Sequence, residues 1–376
     1  MKTIRLFSIM LGLLLATAVQ ASVEINEETF PDEAFRSMIT SLPEGKDGIL
    51  TDEEIAGLHE LHISGAGLPA QITSLKGIEH FTALEYLELF NVVSLKELEL
   101  TQNKKLAVLR LGLASLEKLD LSGLPALSFL HLQVVMGIRE LDLSGCTAME
   151  YLDCRYSDFE RLNIQDCTAL KELYCSESKL SSLDLSAFPH LKKLYCYNNQ
   201  LTSLGLSAVT ELEELDCSYN QLTSLDLSRN AALRGLWCNN NSIETLDLSC
   251  NTMLIFLSCV CNGISDERMT SLVNSLPQTT KGGQVFLEDR VHGSDSNKCT
   301  EEQEQIAIAK NWTVLRELPL ICAGGGGGGH TLGIDAPQNV HSCPSGDYYT
   351  LDGRRLDGQP INKGIYIQNG RKVVIK

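Results

Sequence analysis

The chain has 376 residues, 43% hydrophobic and 21% charged, a composition that excludes a disordered protein. Its formal net charge is −17, with no basic stripe to offset it. That balance argues against nucleic acid and anionic membrane surfaces as partners.

The first 21 residues read as a secretory signal peptide. Lys2 and Arg5 give a positive start, and Ile9 to Ala18 is an apolar run too short for a comfortable membrane span. Val19-Gln20-Ala21 places small residues for cleavage after Ala21. No cysteine stands near that point to carry a lipid, and no later stretch is apolar enough to cross a bilayer. The mature protein is expected outside the cell, secreted or on the surface.

Residues 22–80 read as a helical N-terminal cap with a first irregular repeat. Asp32 to Leu42 has a helical pattern, and Thr51-Asp-Glu-Glu54 is a capping box that opens a second helix running through Leu61. Asp47-Gly48-Ile49-Leu50 with Glu54 matches the end of a calcium loop. Pro43 and Gly45 then fall where oxygen ligands belong, so no metal is expected.

From residue 81 to 263 a pattern L-x-x-L-x-(L/C) recurs. Its first apolar residues are Leu84, Leu106, Leu127, Met149, Leu170, Leu191, Leu212, Leu233 and Leu254, in steps of 22, 21, 22 and then 21. The fullest unit, Leu191-Lys-Lys-Leu194-Tyr-Cys196-Tyr-Asn-Asn199-Gln-Leu201, is the signature of a leucine-rich repeat. A second half, as in Leu183-Asp-Leu185-Ser, Leu225-Asp-Leu227-Ser and Leu246-Asp-Leu248-Ser, alternates like a strand. The prediction is a mainly β solenoid with two short parallel strands per coil. Stacked coils share one core, because a single coil cannot bury its leucines.

Cys154, Cys175, Cys196, Cys217, Cys238 and Cys259 fill the slot held earlier by Leu89, Leu111 and Leu132. A slot that accepts Leu or Cys faces inward, so these are expected to be free, buried thiols and not a metal or redox ladder. Cys146 and Cys167 form a smaller pair; Cys250, Cys261, Cys299, Cys322 and Cys343 follow no ladder. Asn199, Asn220, Asn241 and Asn262 form a second ladder, expected to bond turn groups of their own and the next coil. Ser157 and Ser178 hold that slot earlier, where the turn is expected to be less well fixed.

Residues beside the inward Leu and Cys point outward, onto the usual concave sheet. Exposed aromatics there bring large contact area at low entropic cost. The candidate ligand-binding residues are Tyr174, Tyr195, Tyr197, Asp216, Tyr219, Trp237 and Asn239. Strands favour Tyr and Trp in any case, so the simpler alternative is a covered sheet. Lys171, Lys192 and Lys193 beside Glu172, Glu213 and Glu214 read as a solvated rim. Asp120, Asp142, Asp184, Asp226 and Asp247 on the opposite side read as a solvated face, not a calcium site.

Residues 264–322 read as an α/β C-terminal cap, with helices at Ser265 to Leu276 and Thr300 to Lys310, a strand at Gln284 to Leu287, and Trp312 as a packing anchor. A linker at 323–330 contains six glycines, Gly324 to Gly329. Residues 331–376 read as a small β segment with hairpin turns at Asp352-Gly353 and Asn369-Gly370.

The stretch from Asn26 to about Leu315 resembles the internalin-like leucine-rich-repeat proteins exported by Bacteroidota. The resemblance rests on Phe30-Pro-Asp-Glu-Ala-Phe35, Ile72-Thr-Ser-Leu-Lys-Gly-Ile-Glu79, the L-x-x-L-x-C-x-x-N-x-L coils, Ser275-Leu276-Pro277 and Lys310-Asn-Trp312. The segment from Tyr348 resembles a short type IX secretion sorting signal. The resemblance implies a surface binding role, with adhesion or host interaction in view, but no particular ligand.

No motif of a known enzyme class is present, and the eight histidines are scattered. The expectation is a non-enzyme without cofactor or metal that binds a protein ligand. A glycan ligand is the alternative and a hydrolase the remote one.

Overall fold

The computed structural model describes residues 22–65, 71–290 and 295–316, and the backbone of four short strands between 348 and 375. The expected signal peptide, the glycine linker, Cys322 and Cys343 lie outside the described residues.

The solenoid is built on one twelve-stranded parallel sheet. It starts at Glu60–Ser64 and takes one strand from each coil, through Lys193–Tyr195, Glu214–Asp216 and Gly235–Trp237, to Trp312–Leu315. The register follows the repeat: Leu173 pairs with Leu194, Leu194 with Leu215 and Leu215 with Leu236. The leucines that open the main strand of each coil, with Met149, are buried in one continuous core. Each contributes roughly 1.5–3 kcal/mol of burial.

The six-cysteine ladder lies inside that core, fully buried and unpaired. Cys146 and Cys167 are buried and free as well, whereas Cys250 is exposed.

The Asn ladder differs from expectation in one respect: its partners are in its own and the preceding coil. Asn199 donates to the carbonyls of Cys196 in its own coil and Cys175 in the one before, and its Oδ1 accepts from Leu180 N–H. Asn220, Asn241 and Asn262 repeat the pattern. Asn297 ends it from the C-terminal cap, taking the N–H of Asn262 and Ile264 and donating to Cys259 and Leu287 carbonyls.

A third periodic slot was not anticipated. Asn103, Asn230 and Asn251 are fully buried where Cys146 and Cys167 stand in other coils. Each donates through Nδ2 to two carbonyls, as Asn230 does to Leu206 and Val209.

The coil turns off the sheet through a left-handed residue two places after the Leu/Cys slot. Asn91, Leu113, Val134, Tyr156, Glu177, Asn198, Tyr219, Asn240 and Cys261 all have φ between 52° and 59°. Non-glycine residues adopt this region at a cost of roughly 1–2 kcal/mol, less for Asn. The conformation points the N–H of Tyr156, Glu177, Asn198, Tyr219 and Asn240 at a carbonyl of the following coil.

The second strand of the coil is local. It forms at Glu97–Glu99 with Lys118–Asp120 and at Glu140–Asp142 with Arg161–Asn163. Around Leu183, Leu225 and Leu246 the chain forms no strand ladder. The aspartates there make tight turns: Asp120, Asp142, Asp184, Asp226 and Asp247 each accept the backbone N–H two residues on. Those hydrogen bonds lower the carboxyl pKa of Asp184, Asp226 and Asp247.

Helix α1 (Glu33–Ser41) is capped by Asp32, which also receives Thr73 and Ser74 N–H and so ties the cap to the first coil. Helix α2 (Asp52–Gly57) opens on the expected Thr51/Glu54 capping box. It is shorter than expected, because Leu61 belongs to the first strand of the large sheet. At the other end, α3 (Asp266–Ser275) and α4 (Glu301–Ala309) alternate with Gly283–Phe286 and Trp312–Leu315, which extend the same sheet. Trp312 is buried and donates through Nε1 to Pro277 carbonyl. No helix among the described residues is long and apolar enough to cross a membrane.

Near the C-terminus, Tyr348–Tyr349, Arg355–Leu356, Gly364–Gln368 and Arg371–Ile375 form a separate four-stranded antiparallel sheet. Asp352-Gly353 and Asn369-Gly370 lie outside the described residues.

Candidate functional site

Alternation along each strand sends Leu and Cys into the core and the residues between them onto the outer face of the sheet. Adjacent strands are about 4.8 Å apart, so every outer side chain meets its counterpart on the next coil. Of the candidate residues, Tyr174, Tyr195, Asp216 and Trp237 end strands of this sheet, Tyr197, Tyr219 and Asn239 lie just past strand ends, and several are not exposed. Tyr195 is 1% exposed and Trp237 3%, and Tyr197, Asp216 and Asn239 are also buried. Tyr174 and Tyr219 are half-buried.

The cause is lateral crowding rather than inward winding. Tyr195, Tyr197 and Trp237 are not part of the core cluster that contains the leucines and cysteines. Each meets an aromatic side chain of another coil: Tyr174, Tyr156 and Phe256 respectively. Tyr195 stacks on Tyr174 with centroids 5.1 Å apart, and its hydroxyl donates to Glu214 on the following coil. Tyr197 reaches back two coils, to a hydroxyl contact with Tyr156 at 3.5 Å.

The aromatic run extends further toward the N-terminus than the candidates. Phe129 stacks on Tyr151 at 4.4 Å and 3°, and Tyr151 meets Tyr174 at 5.4 Å. The Arg110 guanidinium lies over Phe129 and that of Arg155 over Tyr174. Phe129, Tyr151 and Tyr174 remain half-open. A second, shorter run joins Trp237, Phe256 and Phe286. Phe129, Tyr151 and Phe256 precede the inward leucine, the position that Glu172, Lys193 and Glu214 hold in the intervening coils and that reads in sequence only as a charged rim.

Two carboxylates are buried in this face. Asp153 is held by Arg155 through two contacts, 2.9 and 2.7 Å, with His131 at 3.9 Å. Burial, partly offset by the Asp153 charge, pushes the His131 pKa down. Asp216 bonds the N–H of Ser218 at 3.1 Å and its hydroxyl. Burial pushes its pKa up to about 6. Asn239 is committed to structure, accepting from Ser258 hydroxyl at 2.7 Å and Val260 N–H at 3.2 Å.

The charged rim takes the form of cross-coil ion pairs. Lys171 pairs with Glu150, Lys192 with Glu213 and Lys193 with Glu172, at 2.8, 3.7 and 3.6 Å. Such surface pairs are worth little individually.

Residues 30–199 match the family model described as the leucine-rich-repeat domain of the endo-beta-N-acetylglucosaminidase EndoS, and residues 210–250 match leucine-rich repeats in two copies. The chain is similar to the functional domain of InlJ from Listeria monocytogenes, described as including a cysteine ladder. Identity is 25% over 72% of this chain and 58% of that one, with a TM-score of 0.56. The chain therefore spans less than two thirds of that domain. An internalin, InlF, from the same organism is 22% identical over 80% of this chain and 92% of that one, with a TM-score of 0.51, and shows the fold alone. This is an internalin-like leucine-rich-repeat fold. No curated protein matches the chain.

Proposed function

We propose that this chain is an exported protein that binds a protein ligand through the concave outer face of its sheet, as an adhesion or host-interaction module, and that it catalyses no reaction. The observation that carries this reading is the stacked run Phe129, Tyr151, Tyr174 and Tyr195, with Arg110 and Arg155 over its rings. Aromatic and arginine side chains on a rigid support are the groups that dominate protein interfaces. Stacking fixes the rings in advance, so little rotamer freedom is lost on binding. The likeness to the InlJ domain supports the same reading.

Of the candidate residues, Tyr174 and Tyr219 offer direct contact area. Tyr195, Tyr197, Asp216, Trp237 and Asn239 support the face from beneath its surface. Export rests on the signal-like residues 1–21, and the strands from Tyr348 onward are proposed as a type IX sorting signal of a Bacteroidota protein. Deleting 348–376 should then leave the protein inside the cell envelope.

A ligand identified by capture should lose at least tenfold in affinity for the double variant Tyr151→Ala/Tyr174→Ala. A substitution in the opposite turns, Asp226→Asn, should leave affinity unchanged. Equal effects of the two would overturn the assignment of the face. A glycan ligand is the second reading, favoured by the matching domain belonging to a glycosidase; glycan-array binding that Tyr151→Ala/Tyr174→Ala removes would establish it instead.

A further inference from the structure

Arg110 differs from the other charged groups on the outer face of the early coils. In register it lies between Glu88 on one coil and His131 on the next. Glu88 is turned to His62, whose Nδ1 is 2.9 Å from its carboxylate. Asp153, one coil further on, is clamped by Arg155 at 2.7 Å. Burial lowers the His131 pKa, so that ring carries little charge at pH 7. Arg110 is exposed, and among the described residues its guanidinium forms no ion pair.

The group is nevertheless held in place. Its carbon lies 4.8 Å from the centroid of the Phe129 ring, and that ring is itself stacked on Tyr151 at 4.4 Å and 3°. A cation within about 6 Å of a ring centroid is attracted to it. Contact with a ring face uses none of the guanidinium N–H groups, so they remain for another molecule. The surface beside Arg110 is open and apolar. Gly112, two residues on, has no side chain and pairs with Phe90, whose ring carbon would meet a Cβ there at 3.0 Å. Phe90 is 44% exposed, and Phe129 and Tyr151 are half-open.

We propose that Arg110 anchors an acidic side chain, aspartate or glutamate, of the bound protein, with an apolar neighbour of that residue resting against Phe90. The assignment rests on the outer face being the contact surface. An arginine fork takes a carboxylate through two parallel N–H···O bonds, a geometry that lysine does not reproduce. The net charge of −17 opposes an acidic partner at long range. At physiological salt that field is screened beyond about 8 Å, and the pair at Arg110 forms well inside this distance.

The probe is a random dodecapeptide display library selected on the full-length chain, followed by synthesis of the enriched peptides. Asp or Glu beside an apolar residue is expected in the enriched motif. Arg110→Gln should weaken a selected peptide at least tenfold with unchanged circular dichroism, and Arg110→Lys should restore only part of the loss. Replacing the peptide's carboxylate by its amide should cost as much, and the two changes together no more than either alone. Enrichment of basic peptides, or losses that add, overturns the anchor. If Arg110→Gln is silent while Tyr151→Ala/Tyr174→Ala abolishes peptide binding, the anchor alone is overturned and the contact face stands. If neither variant weakens the peptides, the face is overturned with it. Acidic glycans bound through Arg110, with no acidic peptide enriched, would overturn the assignment to a protein partner.

Discussion

Tyr174 and Tyr195 stack across adjacent coils with planes 15° apart, yet Tyr195 is buried and Tyr174 half-open. Tyr195 is covered by Tyr174 on one side and pinned through its hydroxyl to Glu214 on the following coil. Tyr174 is therefore predicted to be worth more than its own area. Tyr174→Ala should cost about 2–3 kcal/mol in urea unfolding, from lost burial plus a stacking term of about 1 kcal/mol. Tyr174→Phe, which gives up only the bond to Glu172, should cost about 1 kcal/mol or less.

Asp216 makes stability depend on pH in a defined sense. Its folded pKa, about 6, is above the ordinary 3.8, so the folded state holds its proton longer. Its contribution is fully present below pH ~4 and is lost as pH rises through about 6. A shift near two units corresponds to about 3 kcal/mol. Asp216→Asn should therefore match wild type in urea midpoint near pH 4 and exceed it at pH 7.5. A variant no more stable than wild type at pH 7.5 would show that the carboxylate is not penalised by burial.

The Asn slot predicts both a loss and a gain. Asn199→Ala leaves Leu180 N–H and two buried carbonyls short of a partner and should cost about 2–4 kcal/mol. In the preceding coil the slot holds Ser178, whose Oγ is buried without a hydrogen bond. Ser178→Asn would place an amide against the Cys154 and Cys175 carbonyls by the same geometry. It should raise the unfolding midpoint by the equivalent of about 1 kcal/mol.

The spacing of Leu, Cys and Asn made the inside of this fold legible, because a strict 21-residue period has one way to stack. The aromatic face was legible only in part. Whether Tyr195 is exposed is decided by Tyr174 and Glu214, 21 and 19 residues away, and not by alternation along its own strand. The length of α2 was misjudged because the leucines of a helix and of the following strand, Leu58 and Leu61, have the same local spacing. The slot of Asn103, Asn230 and Asn251 escaped notice because it is shared with Cys146, Cys167 and Phe188, which have no common chemistry.

Thiol labelling separates the inside of the coils from their edges. Burial raises the pKa of Cys154, Cys175, Cys196, Cys217, Cys238 and Cys259, which disfavours the reactive thiolate. In native protein treated with iodoacetamide at pH 8, mass mapping should find Cys250 modified first, and the six ladder cysteines only after unfolding. Rapid native modification of Cys196 or Cys217 would contradict the stacking.

The contact face is tested most directly by hydroxyl-radical footprinting of the full-length chain with and without its captured ligand. Protection should concentrate on Phe129, Tyr151, Tyr174 and Tyr219, with no change at Phe188 or at Met253 near the Asp247 turn. Protection of Met253 with none at Tyr151 and Tyr174 would place the ligand elsewhere and contradict the account.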